Sequence, residues 1–134
     1  MTQTPADEIR AAAAKLRGLA TAASTDAHGH DTSTWSSEHV RPGDARLYGP
    51  GRTSILRGGP SGPGGRGTRP HLHPQHADYI AALHPGVGAV LADWLDATVA
   101  EVIAADGTEY ALHPDGSDFD GWNAALTLAR LINQ

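Results

Sequence analysis

The stretch Pro85-Gly86-Val87-Gly88-Ala89-Val90-Leu91-Ala92-Asp93-Trp94-Leu95-Asp96-Ala97-Thr98-Val99-Ala100-Glu101-Val102-Ile103-Ala104 is the strongest regular pattern in this chain of 134 residues. Val87, Val90, Leu91, Trp94, Leu95, Val99, Val102 and Ile103 recur at helical spacing and form a wide apolar face, which puts Trp94 in the core. Asp93, Asp96 and Glu101 lie opposite. Asp106-Gly107 closes the helix. On its N-terminal side the residue before a proline avoids helical dihedrals, so His84-Pro85 separates this helix from a shorter one. That shorter helix spans His76 to Leu83, with Tyr79, Ile80 and Leu83 at helical spacing.

Two further helices flank this pair. Residues 4–23 start with Thr4 as N-cap, Pro5 in the first helical position and Asp7 at capping-box spacing. Ile9, Ala12, Ala13, Leu16, Leu19, Ala20 and Ala23 follow one stripe. At the other end, Thr108 to Leu112 is a short extended segment, His113 to Gly116 a turn, and Ser117 with Asp120 a second capping box. The last helix presents Phe119, Trp122, Leu126, Ala129 and Ile132. Between the helices, Thr32 to Val40 has strand composition, and 46–48 and 52–56 flank Gly49-Pro50-Gly51 as a hairpin. The expected architecture is α+β: helices on one face of a small three-stranded antiparallel sheet, in one domain of residues 1–134, with 58–70 a flexible Gly/Pro/Arg-rich loop.

Composition narrows the functional classes. The chain has no cysteine, which removes disulfides, thiol chemistry and cysteine–zinc sites. Met1 to Glu8 has no basic region followed by an apolar run, so no signal peptide is expected. No apolar stretch approaches the roughly 20 residues of a membrane span.

Charge is unevenly distributed. Between Arg41 and His76 lie Arg41, Arg46, Arg52, Arg57, Arg66 and Arg69, with Asp44 as the single acid. Six arginines against one aspartate make that segment about +5; four basic residues against fourteen acids make the remainder about −10, giving the overall −5. Forked guanidinium donors suit carboxylates and phosphates. A remainder so acidic repels a duplex, and no aromatics interleave the arginines, so general nucleic-acid binding is not expected.

The motifs that resemble chemistry are weak. His71, His73 and His76 form His-x-His-x-x-His, with His28 and His30 as a second pair, and with Asp78 or Asp31 they could supply the three ligands of a catalytic zinc site. No acid stands at a fixed short spacing, and Pro70 and Pro74 interrupt the segment, so solvated loop histidines are the simpler expectation. Asp93 and Asp96, three apart, are read as a solvated face. Asp115, Asp118 and Asp120 lack the calcium-loop spacing. Gly58 to Gly65 is followed by no Gly-Lys-Ser/Thr and is neither a P-loop nor a dinucleotide fingerprint.

Thr4-Pro5-Ala6-Asp7-Glu8-Ile9-Arg10-Ala11-Ala12-Ala13-Ala14-Lys15-Leu16-Arg17, taken with His76-Ala77-Asp78-Tyr79-Ile80-Ala81-Ala82-Leu83-His84-Pro85-Gly86-Val87-Gly88-Ala89-Val90-Leu91-Ala92-Asp93-Trp94-Leu95, resembles small accessory proteins of phages and prophages of actinobacteria, and the Ead-like phage early proteins. The resemblance covers about half the chain and misses the basic middle. Relatives carry Thr-Pro-Gly-Pro-Trp after the first helix, where this chain has a dispersed Ser/Thr stretch ending at Trp35. It implies a phage-type gene product in the bacterial cytoplasm and supplies no catalytic residues.

The expectation is therefore a non-catalytic protein without cofactor that binds and inhibits a host protein or protein complex, such as an antiphage defence component of the CRISPR–Cas kind. Arg46, Arg52, Arg57, Arg66, Arg69 and Trp35 are the expected contact residues. A sponge for a phosphorylated signalling nucleotide and a histidine-metal hydrolase built on His71, His73 and His76 are the alternatives.

Overall fold

The computed structural model describes residues 3–56, 72–106 and 120–134. The expected loop 58–70, the extended segment at 108–112, the turn at 113–116 and the Ser117 cap lie outside them. The architecture is α+β, as the sequence leads one to expect: α1 (Pro5–Ala23), β1 (Ser36–Arg41), β2 (Asp44–Tyr48), α2 (Pro74–Ala82), α3 (Pro85–Asp106) and α4 (Asp120–Asn133). The chain divides into two compact units, Met1–Leu19 with Gly88–Gln134, and Ala20–Val87.

In the first unit the core is largely alanine. Ala6, Ile9, Ala12 and Ala13 of α1 meet Ala92, Leu95 and Val99 of α3 and Ala125, Leu126 and Ala129 of α4. Among the described residues, the large side chains that are fully buried are Ile9, Leu95 and Leu126. Leu16, Trp122, Leu128 and Ile132 pack around the rim. The N-terminal cap forms as expected: the Asp7 N–H donates to Thr4 Oγ1 at 3.1 Å. Polar staples join the helices. Glu8 accepts from Arg130 Nε at 2.7 Å and Nη2 at 3.3 Å, and Asn133 Nδ2 donates to the Glu8 carbonyl at 3.0 Å.

Trp94, expected in the core, is 43 % exposed, and Leu19 is 57 % exposed. Over residues 87–101 the buried face of α3 is narrower than its apolar pattern, with Ala92, Leu95, Thr98 and Val99 buried while Val90 and Trp94 are exposed. Thr98 is tolerated there because its hydroxyl donates to the Trp94 carbonyl at 2.8 Å. Asp93 and Asp96 are not simply solvated. Both accept from Arg17 Nη2, at 3.0 and 2.8 Å, and Asp96 ahead of Asp93 holds the guanidinium above its ordinary pKa.

The second unit begins at the end of α1. The Thr32 hydroxyl donates to the Ala23 carbonyl at 2.6 Å and the Thr32 N–H to the Ser24 carbonyl at 2.8 Å, occupying acceptors that a helix end leaves open. Between them Asp26 Oδ1 collects the N–H groups of His28 and His30.

The sheet differs from expectation. It has two strands, not three, and its turn is Pro42-Gly43. Proline second and glycine third, with Gly43 at φ 78°, is the type II pattern, whose twist fits a hairpin poorly; the register shift between His39 and Arg41 absorbs the mismatch. The expected turn at Gly49-Pro50-Gly51 does return the chain. Ile55 N–H donates to the Leu47 carbonyl at 3.1 Å and Gly49 N–H to the Thr53 carbonyl at 2.7 Å, but the third strand amounts to a single bridge, Tyr48 to Ser54. α2 covers one face of the hairpin, its Ala77 and Ala81 buried with Ala45 and Leu47 and flanked by Ile55, Leu72 and Ile80. Tyr79 and Leu83, expected on the apolar stripe, are exposed at 69 % and 52 %.

Candidate functional site

Alternation along the strands sorts the hairpin into two faces. Ser37, His39, Ala45 and Leu47 lie on the face under α2. Glu38, Arg46 and Tyr48 lie on the other, where Glu38 and Arg46 are direct cross-strand partners.

On the outer face, Arg52 folds back over Tyr48, its guanidinium carbon 4.5 Å from the ring centroid. Its Nη1 donates to Glu38 Oε2 at 2.8 Å, and the Glu38 carboxylate raises the Arg52 pKa above its ordinary value. The backbone produces this pose. Gly51 and Arg52 both have positive φ, 65° and 62°, and Arg52 is the single non-glycine residue in that region among those described. A Cβ is penalised there. The Arg46 side chain is exposed on the same face and makes no hydrogen bond or ion pair with a described residue.

On the inner face, Asp78 of α2 takes hydrogen bonds from the Ser37 hydroxyl and from His39 Nε2, the latter at 3.0 Å. The Ser37 hydroxyl first and His39 second hold the Asp78 carboxyl below the usual carboxylate range. Serine, histidine and aspartate together suggest nucleophilic catalysis, but the order of bonds is wrong for it. The carboxylate sits in the middle, and the hydroxyl donates to it rather than to the imidazole, so no imidazole is placed to take the serine proton. The cluster also stands open to solvent, with His39 and Asp78 side chains 55 % and 53 % exposed. Its role is to tie β1 to α2.

The expected contact residues are partly brought together. Arg46 and Arg52 share the outer hairpin face. Trp35 is half-buried, its indole N–H donating to the Thr32 carbonyl at 2.7 Å. Arg57, Arg66, Arg69 and His71 lie outside the described residues. His73 occupies the N-cap position of α2, its ring edge-on to His76 with centroids 5.9 Å apart. Among the described residues no group of three or more histidines and carboxylates is arranged to hold a metal ion, and no helix is long and apolar enough to cross a membrane.

Sequence reasoning missed Glu38 and Tyr48, and it offered Asp78 only as a possible metal ligand rather than as a partner of β1. Tyr48 and Arg52, four residues apart across Gly49-Pro50-Gly51, did carry a signal, because a tight turn at that spacing brings its flanks face to face. Glu38 and Asp78 carried none, since each depends on a pairing register that a polar strand does not announce. Comparison with family models, curated proteins and solved structures gives no match to this chain.

Proposed function

We propose that this chain is a non-catalytic binding protein of phage or prophage origin that engages a host protein complex, of the antiphage-defence kind, and blocks it in the bacterial cytoplasm. The observation that carries this reading is the segregation of charge: about +5 between Arg41 and His76 on a chain whose remainder is about −10. Opposed fields of this kind speed encounter with a complementary surface and fix its orientation. The origin rests on the resemblance of α1 and the α2–α3 stretch to phage accessory proteins.

The described part of the basic segment supports a protein partner over a nucleic acid. Arg41 is paired with Asp44 at 3.1 Å and Arg52 with Glu38, so a duplex would meet alternating charges rather than a continuous positive track. The contact residues are Arg46, Arg52, Arg57, Arg66 and Arg69, together with Trp35 upstream of the basic segment.

The test is charge reversal. The variant Arg46→Glu, Arg52→Glu, Arg57→Glu, Arg66→Glu, Arg69→Glu should keep its circular dichroism and thermal midpoint but lose protection of phage in a host carrying an active defence system. Full protection by a folded reversal variant would overturn the reading. So would stoichiometric heat on calorimetric titration with a cyclic dinucleotide, which would reassign the arginines to a small phosphorylated ligand.

A further inference from the structure

The turn at Pro50–Thr53 holds an arginine where the backbone favours glycine. Gly51 and Arg52 are consecutive left-handed residues, the arrangement of a type I′ hairpin turn, in which the second position is ordinarily Gly or Asn. An arginine there gives up backbone comfort, and what it gains is direction. The left-handed φ swings the side chain back over Tyr48, where the ring face and Glu38 fix the guanidinium plane. Strain of this kind, retained at one exposed residue and aiming one functional group, points from geometry to a use.

Glu38 shows what that use is. It accepts from Arg52 and stands directly across the ladder from Arg46, so the carboxylate pairs with one guanidinium while a second arginine shares the open face of the hairpin. It contacts Arg52 through Nη1. The geometry points to a carboxylate-binding notch formed by Arg46, Arg52 and Tyr48, occupied at rest by the chain's own Glu38, which an acidic side chain of a protein partner displaces. This deepens the proposed function and rests on its reading of the basic segment as the contact surface, for it assigns the partner's chemistry as carboxylate. The internal occupant also sets specificity. A partner must offer several acids to outcompete a tethered one, so isolated carboxylates on other proteins do not bind.

The experiment titrates the intact chain with a hexaglutamate peptide and follows the Arg52 side-chain N–H and the Tyr48 ring protons by NMR, since arginines elsewhere do not report there. The expected result is saturable shifts at both. Affinity should be about threefold tighter in Glu38→Gln, the scale of one exposed ion pair, and the Tyr48 shift should be lost in Arg52→Gly. Arg52→Gly relieves the turn and keeps the fold, so loss of binding there is not unfolding. Unchanged affinity in Glu38→Gln, or an undiminished Tyr48 shift in Arg52→Gly, overturns the notch. Inorganic phosphate at equal ionic strength should shift neither signal; if it competes with the peptide, the carboxylate assignment falls. Hexaglutamate binding as predicted, alongside full phage protection by the charge-reversal variant, would leave the notch standing and remove the inhibitor reading. The reverse pair of results would remove the notch alone.

Discussion

The Ala45 N–H donates to the Leu72 carbonyl at 2.9 Å, on the same edge of β2 where the Leu47 carbonyl accepts from Ile55. The chain thus leaves this edge after Leu56 and rejoins it two strand positions away. The two ends of the 57–71 span are fixed side by side by the described residues alone. Replacing residues 57–71 with a four-residue Gly-Ser linker should therefore preserve the fold. Closing a loop of four rather than fifteen residues is favoured by about 1 kcal/mol from chain entropy. The change removes Arg57, Arg66 and Arg69 and no acid, taking the net charge from −5 to −8. Urea unfolding should show a midpoint at or above that of the parent, while protection of phage is lost. A collapsed urea midpoint would mean that the span is part of the fold.

The helices were legible in the sequence because their ends carry local chemistry. Thr4, Pro5 and Asp7 announce α1, and His84-Pro85 announces the break before α3. Composition marked 32–40 as a strand, but the extent of β1 and its turn were not legible, because β1 shows no alternation. Of Ser36 to Arg41 only Ser37 is even half-buried, so no apolar period marks the strand, and the Gly49-Pro50-Gly51 signal outweighed Pro42-Gly43. Trp94 was misassigned for a related reason. α3 is apolar around most of its circumference, and only the positions of α1 and α4 decide that Leu95 is buried and Trp94 is not. On α2 the buried face is Ala77 and Ala81, residues too small to stand out beside Tyr79 and Leu83. Arg46 and Arg52 were found by charge alone; the pairing of Arg52 with Glu38, and the place of Arg46 on the same face, needed the register.

The alanine-lined core of the first unit predicts that two opposite substitutions both destabilise it. Leu95→Ala opens a cavity at a fully buried site and should cost about 2–5 kcal/mol. Ala125→Leu inserts volume where Ala125 is fully buried against α1 and α3, and should cost about 1–3 kcal/mol. Both are read from urea denaturation at constant slope. A neutral Ala125→Leu would show that the helices are spaced more widely than an alanine contact requires.

Acid should weaken the second unit. Asp26, held mainly by its bond to His30, Asp31, held mainly by the Ser33 hydroxyl, and Asp78, held mainly by the Ser37 hydroxyl, all have pKa values lowered from 3.8 in the fold. A carboxyl whose folded pKa is depressed stabilises the fold above its unfolded value, and that contribution fades as pH falls through the folded one. Amide protection in β1 and β2 should therefore be flat above about pH 4 and decline below it, as the pKa of 3.8 in the unfolded chain sets the upper edge. Asp78→Asn should lower protection at neutral pH and flatten the acid limb. An acid limb of unchanged slope in Asp78→Asn would show that the carboxylate does not carry it.

Gly86 opens α3 under the ring of His84. A Cβ at Gly86 would stand 2.9 Å from His84 Cε1 and 3.1 Å from Nδ1. The same Nδ1 lies 3.1 Å from the Gly86 nitrogen and 3.2 Å from the Ser33 carbonyl, which also accepts from the Gly86 N–H at 2.9 Å. When unprotonated, Nδ1 accepts from Gly86; when protonated, it donates to Ser33. The ring is held at this junction in either state, so it cannot swing aside without losing a hydrogen bond. Gly86→Ala should therefore destabilise the protein, even though alanine exceeds glycine in a helix by about 1 kcal/mol. Removing the ring should reverse the sign: in a His84→Ala background, Gly86→Ala should stabilise by up to about 1 kcal/mol. The four proteins of this double-mutant cycle give the coupling directly from their urea midpoints. A stabilising Gly86→Ala in the presence of His84 would show that the imidazole yields freely and that the junction is not held by its bonds.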